Sequence, residues 1–176
     1  MTSKEFLNSL ANGQSDIIKI FLSIITEIGS PYCVIGGLAV NAYVEPVVSL
    51  DIDIVITVKN VEAICRAAEK QGLKVEPFEH SMNISSPQSD LRIQVQTDPR
   101  YQGFIQRAEL KDVLGYKMYV ASLDDVLLGK VWAYTDQTRR RSKRQKDLAD
   151  VLRIIEKYPQ FKANLPPSIK EKIEKD

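Results

Sequence analysis

The segment of residues 48–58 constrains the fold more than any other part of this 176-residue chain. It is rich in β-branched residues, which predicts a β-strand. Asp51 and Asp53 interrupt this apolar run, and residues two apart in a strand point to the same face, with Cα atoms about 6 to 7 Å apart. Two carboxylates on such a strand are costly unless water or a cation neutralises them. The pattern therefore predicts either a solvated strand end or a site for a divalent cation.

A pair of glycines, Gly36 and Gly37, precedes this strand. The apolar run of residues 32–35 predicts a short strand before the pair, and residues 38–43 are compatible with a helix after it. Exposed backbone N–H groups at such a strand-to-helix turn can bind phosphate. Taken alone, the glycines are equally consistent with an ordinary tight turn. Their spacing from the two aspartates favours the phosphate site.

The rest of the sequence predicts helices and strands before and after the segment that contains the glycine pair and the two aspartates. Hydrophobic periodicity and capping residues predict helices at residues 15–28 (with Ser15 as N-cap), 60–70, 122–134, 145–157 and 168–175. Strands are predicted at residues 74–78, 82–85, 91–97 and 115–120. We therefore expect an α+β fold with a small mixed sheet flanked by helices. Residues 1–121 would form the core with its N-terminal helices, and residues 122–176 a C-terminal helical portion packed on it as one compact unit.

The order of these features resembles the signature of the polymerase-β-like nucleotidyltransferase superfamily. The sequence Val34-Ile35-Gly36-Gly37 is followed, after thirteen residues, by Asp51-Ile52-Asp53-Ile54. Within the superfamily the chain is similar to the minimal bacterial and archaeal nucleotidyltransferases, which include toxins of abortive-infection toxin–antitoxin pairs. The resemblance covers residues 32–155 and includes a later helix at residues 123–130 and the basic stretch at residues 143–150. It implies a nucleotidyltransferase-like core.

The resemblance also implies roles for individual residues. Asp51 and Asp53 would be catalytic and would hold Mg²⁺ or Mn²⁺. The nucleotide would be bound by Gly36, Gly37, Ser49 and Lys130, although Lys130 is equally compatible with an ordinary surface position on its helix.

Relatives often carry a third carboxylate on a neighbouring strand, and here the matching position holds Gln94 or Gln96. A glutamine cannot act as a general base and is a weaker Mg²⁺ ligand than a carboxylate. The deprotonation of an acceptor hydroxyl would then need another group, with Asp90 and Asp98 as the nearest acids in the sequence.

Basic residues are concentrated in one short segment, although the formal net charge of the chain is only +1. Such a cluster is typical of an exposed segment that leads into a helix, and it is equally a candidate for binding triphosphate or RNA phosphates. The candidates for these contacts are Arg140, Lys143, Arg144 and Lys146. Further along, Asp147 and Asp150 lie at helical spacing with Lys146, which predicts local ion pairs.

Composition limits the class of protein. Hydrophobic residues make up 44% and charged residues 27%, which is typical of a folded soluble protein, and no segment has the length and polarity of a membrane span or a signal peptide. Cys33 and Cys65 form no C-x-x-C pair, which favours two buried thiols in a reducing cytoplasm.

Two functions fit these observations. The first is Mg²⁺-dependent transfer of a nucleoside monophosphate from an NTP to a hydroxyl on protein or nucleic acid. We expect such a protein to be cytoplasmic and to make no membrane contact. If it is a toxin, we expect an antitoxin as its partner. The alternative is a catalytically inactive protein of the same fold that binds nucleotide or RNA as a regulatory module. The intact aspartate pair favours the first function, and the glutamine in place of a third acid favours the second.

Overall fold

A mixed seven-stranded β-sheet forms the centre of the protein in a computed structural model, which describes residues 2–174. Its spatial order is β3-β4-β5-β2-β1-β7-β6. Strand β2 lies between β1, with which it pairs antiparallel, and β5, with which it pairs parallel. The strands are β1 (Tyr32–Ile35), β2 (Asp51–Ile56), β3 (Lys74–Pro77), β4 (Ser81–Ser86), β5 (Ser89–Gln96), β6 (Glu109–Val113) and β7 (Tyr116–Val120).

Helices surround this sheet. Helix α6 packs against α7, and both contact α3, whereas α2 contacts α4. No helix among residues 2–174 combines the length and the apolar character that crossing a membrane requires. The helices are α1 (Ser3–Leu10), α2 (Ile17–Ile28), α3 (Gly36–Val40), α4 (Val61–Lys70), α5 (Pro99–Gln102), α6 (Leu123–Thr135), α7 (Arg141–Lys157) and α8 (Pro167–Glu174), with short 3₁₀ segments at Val58–Asn60, Ile105–Arg107 and Pro159–Asn164.

The alternation of side chains along β2 decides which face of the sheet carries polar groups. Ile52, Ile54 and Ile56 are fully buried in the apolar core. Asp51 and Asp53 point to the opposite face and are only partly buried. The strand therefore contributes its isoleucines to the core and presents its carboxylates together on the other face.

The α+β class and the mixed sheet flanked by helices are confirmed. Each predicted strand and each predicted helix has a counterpart, although the predicted strand at residues 48–58 is shorter in the structure and the helix predicted from residue 145 begins at Arg141. The predicted helix at 168–175 corresponds to α8, except that residue 175 lies outside the described residues. The proposed boundary between residues 121 and 122 remains a prediction.

The capping prediction for α2 was wrong. The N-cap of α2 is Asp16, whose carboxylate accepts a hydrogen bond from the Lys19 backbone N–H at 3.0 Å, and not Ser15. Asn60 is the N-cap residue of α4, where the predicted helix begins, but its side chain makes no capping bond, and its amide nitrogen donates to the Ser30 hydroxyl at 3.0 Å. Ser and Asp are both favoured N-cap residues, so residue type alone did not decide between the neighbours Ser15 and Asp16.

The cysteines do not form a disulfide. Both thiols are free, with Cys33 buried and Cys65 only partly buried, so the expectation of two buried thiols holds for Cys33 alone. Burial raises the pKa of the Cys33 thiol to about 12, with Asp125 adding to the rise. Cys33 is therefore an unreactive core residue.

Candidate active site

The turn from β1 into α3 brings Gly36 against the Asp53 carboxylate. Ile35 pairs with Asp53 in the antiparallel register of β1 and β2, and Gly36 follows it with φ +69°. A Cβ at position 36 would lie 2.3 Å from Asp53 Oδ2. Glycine is therefore required here both by the left-handed backbone and by the contact with the carboxylate.

Gly37 has a different environment. A Cβ added there would meet no heavy atom within 4 Å, and the residue lines an open cavity beside the aspartates. Of the two glycines, only Gly36 has too little space for a side chain, whereas a side chain at position 37 would extend into open space.

Asp51 is paired with two cations. Arg92 Nε and Nη2 donate to Asp51 Oδ1 at 3.0 and 2.6 Å, and Lys143 Nζ lies 3.4 Å from Asp51 Oδ2. Burial alone would raise the pKa of the Asp51 carboxyl, but Arg92 and Lys143 together lower it. Asp51 is therefore ionised. Its backbone N–H also bonds to the Ser49 hydroxyl at 3.3 Å, so Ser49 supports the entry to β2.

Asp53 differs from Asp51 in having no such partner. Its carboxylate forms no hydrogen bond or ion pair with any residue of the described range 2–174. Burial raises the pKa of the Asp53 carboxyl, and the nearby charge of Lys130 opposes that rise. A partly buried carboxylate that makes no hydrogen bond or ion pair is unfavourable unless a cation binds to it.

These two carboxylates fit one Mg²⁺ ion. Magnesium is commonly held by one or two carboxylates, with water and substrate phosphates as its remaining ligands. Within residues 2–174 no group of three or more His, Cys, Asp or Glu side chains is arranged to hold a metal. Asp51 and Asp53 are thus the residues of this site that could supply carboxylate ligands to such an ion.

Amide side chains of β5 lie beside the aspartate pair. In the parallel pairing of β2 with β5, Asp53 lies opposite Gln94. Gln96 is two residues further along β5, on the same face, and lies opposite Val55. Asp98 bonds to Arg100 and Asp90 accepts a hydrogen bond from Asn12, so neither acid turns toward the aspartate pair.

Lys130 lies in a buried ion-pair network. Its Nζ is 3.0 Å from Asp147 Oδ1 and 2.7 Å from Asp150 Oδ2, and its side chain is 9% exposed. Desolvation alone would lower the pKa of Lys130, but Asp150 and Asp147 raise it above its ordinary value. These acids bind Lys130, on α6, and not Lys146 as the sequence suggested. The nucleotide-binding role of Lys130 remains a prediction, and its present contacts join α6 to α7.

Two adjoining cavities meet at the aspartate pair. Both are lined by Asp51, Asp53, Lys130, Arg139, Lys143 and Asp147. The first cavity adds the acid Asp125 and uncharged polar groups, among them Gln94, Gln96 and the ring of Tyr101. The second adds Asp150 together with two further cations, Lys146 and Arg153, and also Gly37 and Ser49.

The residues of the basic segment are divided in the structure. Lys143 and Lys146 line the second cavity, and their phosphate-binding role remains a prediction. Arg144 instead donates to the Tyr134 carbonyl at 2.7 Å and to Gln137, and Arg140 lines neither cavity.

Several polar residues at the cavities or the aspartate pair were not among the candidates taken from the sequence. They include Arg92, Asn41, Tyr101 and Arg153. Arg92 is two residues before Gln94 in the same strand, so the alternation of side chains could have predicted that both lie on the polar face. The positions of the other three depend on tertiary packing.

Comparison with solved structures shows which fold this is. The chain superimposes on the antibiotic-resistance factor ANT(2'')-Ia with a TM-score of 0.58 at 13% identity, covering 84% of this chain and 90% of that one. It matches the lincosamide antibiotic adenylyltransferase LnuA with a TM-score of 0.57 at 13% identity, covering 81% and 99%. A nucleotidyltransferase-like protein from Paracoccidioides brasiliensis gives a TM-score of 0.53 at 16% identity, covering 88% and 77%. No protein-family profile and no curated sequence matches the chain.

Proposed function

Because the chain has the polymerase-β-like nucleotidyltransferase fold, we propose that it transfers a nucleoside monophosphate from an NTP to a hydroxyl group. One observation carries this proposal. Asp53 is a partly buried carboxylate without a protein partner, adjacent to Asp51 and beneath Gly36, and the cationic side chains of α7 face it across a cavity.

The two cavities suit the two substrates. Lys143 and Lys146 make the second cavity favourable for a triphosphate, because cations at its wall neutralise phosphate charge. Arg139 also lines this cavity, but its Nε donates to Asp147 Oδ2 at 2.7 Å. Gln94, Gln96 and Tyr101 in the first cavity can donate and accept hydrogen bonds without charge, which suits an acceptor that carries a hydroxyl. The aspartate pair lies where the two cavities meet.

In the reaction the acceptor oxygen forms a bond to the α-phosphorus. The bond from that phosphorus to the bridging oxygen breaks, and pyrophosphate leaves with the electron pair. Asp51 and Asp53 would hold Mg²⁺ or Mn²⁺, which when bound neutralises triphosphate charge and polarises the α-phosphate. The acceptor proton passes to water, because Gln94 cannot accept it.

The acceptor can be nucleic acid, protein or a small molecule. Minimal nucleotidyltransferases of toxin–antitoxin pairs, which this chain resembles, motivate the first two, with an antitoxin as partner. Two structural neighbours, an antibiotic-resistance factor and a lincosamide antibiotic adenylyltransferase, motivate a small-molecule acceptor.

The test offers four α-labelled NTPs with Mg²⁺ or Mn²⁺ to each acceptor class. Bulk RNA, cell protein and a panel of aminoglycosides and lincosamides are the three arms. We expect labelling by the unmodified protein and none by Asp53→Asn. The exposed Asp124→Asn on α6, which lines neither cavity, is the matched control and should label normally. Equal labelling by Asp53→Asn would refute the assignment of the site.

A second function is favoured by a specific observation. Gln94 opposite Asp53 and Arg92 bound to Asp51 are compatible with a protein that binds nucleotide without turning it over. NTP binding that depends on Asp53, without label transfer in any arm, would identify this nucleotide-binding module.

A further inference from the structure

We propose that this site holds a single divalent cation, and that Arg92 supplies beside Asp51 the positive charge that a second metal ion would bring. The inference rests on the proposed function, since it concerns the same nucleotide site.

Arg92 is placed by the sheet itself. It lies directly opposite Asp51 in the parallel pairing of β2 with β5, so both side chains project from adjacent strands on the same face. Its two hydrogen bonds converge on one oxygen, Asp51 Oδ1. Because both residues belong to central strands, this contact does not depend on a mobile loop.

Lys143 holds the other oxygen of Asp51 in a weaker way. It makes one contact of 3.4 Å from the end of a flexible side chain on α7. A cation that approaches Asp51 Oδ2 and Asp53 can therefore displace Lys143, which is then free to contact a phosphate. Arg92, with two shorter charge-assisted bonds, keeps Oδ1.

The oxygen ligands of the site favour one ion. Arg92 occupies Asp51 Oδ1 with two hydrogen bonds, which leaves Asp51 Oδ2 and the Asp53 carboxylate to hold a metal. Gln94 supplies no carboxylate opposite Asp53, so a second ion would lack an anionic protein ligand of its own and would lie close to the Arg92 charge.

The experiment counts ions in the nucleotide complex without relying on turnover. The protein is saturated with an α,β-methylene NTP analogue, and Mn²⁺ binding is followed by calorimetry and electron paramagnetic resonance. We expect one Mn²⁺ per protein. Two ions, or none, would overturn the proposal, whereas failure of the analogue itself to bind would count against the proposed function.

Variants of Arg92 separate a charge role from a positioning role. Arg92→Gln should tighten Mn²⁺ binding about tenfold, because a neighbouring positive charge is removed, and Arg92→Lys should leave the affinity within about twofold, because it keeps the charge. Weaker or unchanged Mn²⁺ binding in Arg92→Gln would overturn the proposal, since it would show that Arg92 only holds Asp51 in place. Arg66→Gln is the control, because Arg66 is exposed on α4 and paired with Glu62.

The double variant Arg92→Gln/Gln94→Glu should admit a second Mn²⁺ ion. It removes the cation and supplies the missing carboxylate opposite Asp53. A double variant that still binds one ion would contradict the claim that these two residues set the metal count.

Discussion

Gln94 lies directly opposite Asp53 across the parallel pairing of β2 and β5, with both side chains on the face that carries the candidate site. An acid at position 94 would therefore stand beside a carboxylate that has no partner within residues 2–174. We therefore expect metal binding to depend on the charge at position 94.

Gln94→Glu should lower the melting temperature without metal and raise it by more than the wild type on addition of Mg²⁺. Two adjacent carboxylates repel each other in the apoprotein and bind a cation better together. Thermal unfolding with and without Mg²⁺ measures both effects. Gln145→Glu, exposed on α7, is the control, and an identical Mg²⁺ response in all three proteins would contradict the prediction.

Gly36→Ala should abolish nucleotide binding and lower the free energy of unfolding by about 1 to 2 kcal/mol or more. An alanine at φ +69° is strained, and its Cβ would displace the Asp53 carboxylate. Gly37→Ala is the matched control, because the added Cβ has open space and the fold should tolerate it. Calorimetric titration with an NTP and urea unfolding test the pair, and equal losses in both would show that space at position 36 is not the cause.

Lys130→Met should lower the free energy of unfolding by about 1 to 3 kcal/mol, because two carboxylates of α7, Asp147 and Asp150, lose the buried cation that they share. The loss is limited because each carboxylate keeps an arginine partner. In comparison, Lys162→Met should change the free energy of unfolding by at most about 1 kcal/mol, since Lys162 pairs with Glu174 at the surface. Urea unfolding gives both values, and a small loss in Lys130→Met would show that Lys130 does not hold α6 to α7.

Lys146→Ala should weaken NTP binding about tenfold, the loss expected for one charge-assisted contact. Lys146 lines the second cavity, and within the described residues it makes no ion pair that would hold it away from a phosphate. The binding should also depend less on salt concentration than in the wild type. Arg140→Ala, outside both cavities, should bind as the wild type does, and the same loss in both variants would point to general charge and not to this site.

The central part of the site was predictable because its signals are local. The alternation of Asp51 with buried isoleucines and the glycine pair before them are read within about twenty residues of sequence, and the structure places both at one point. The glutamine at the position of the third acid was also predictable, because β5 is a clear alternating strand.

The partners of these residues were not predictable in the same way. Arg92 and Asp51 are 41 residues apart, and their contact depends on the register between β2 and β5. Lys130 was expected near the phosphates because its helix follows the core, but its bonds to Asp147 and Asp150 arise only from the packing of α6 on α7.

Among the elements that the sequence did not predict, β6 and α1 were missed because of their composition. Strand β6 (Glu109–Val113) is an edge strand with mostly polar, exposed residues, so it lacks the apolar alternation of a half-buried strand. Helix α1 (Ser3–Leu10) buries only Leu7 among its residues, and its start depends on a capping box between Thr2 and Glu5.

The most direct test of the account compares α- and γ-labelled NTP in the same reaction with Mg²⁺. We predict that the α-label appears in the acceptor and the γ-label in pyrophosphate. Both signals should vanish in Asp53→Asn, while Asp124→Asn should retain them. Transfer of the γ-label to the acceptor, or α-label transfer that persists in Asp53→Asn, would contradict this prediction.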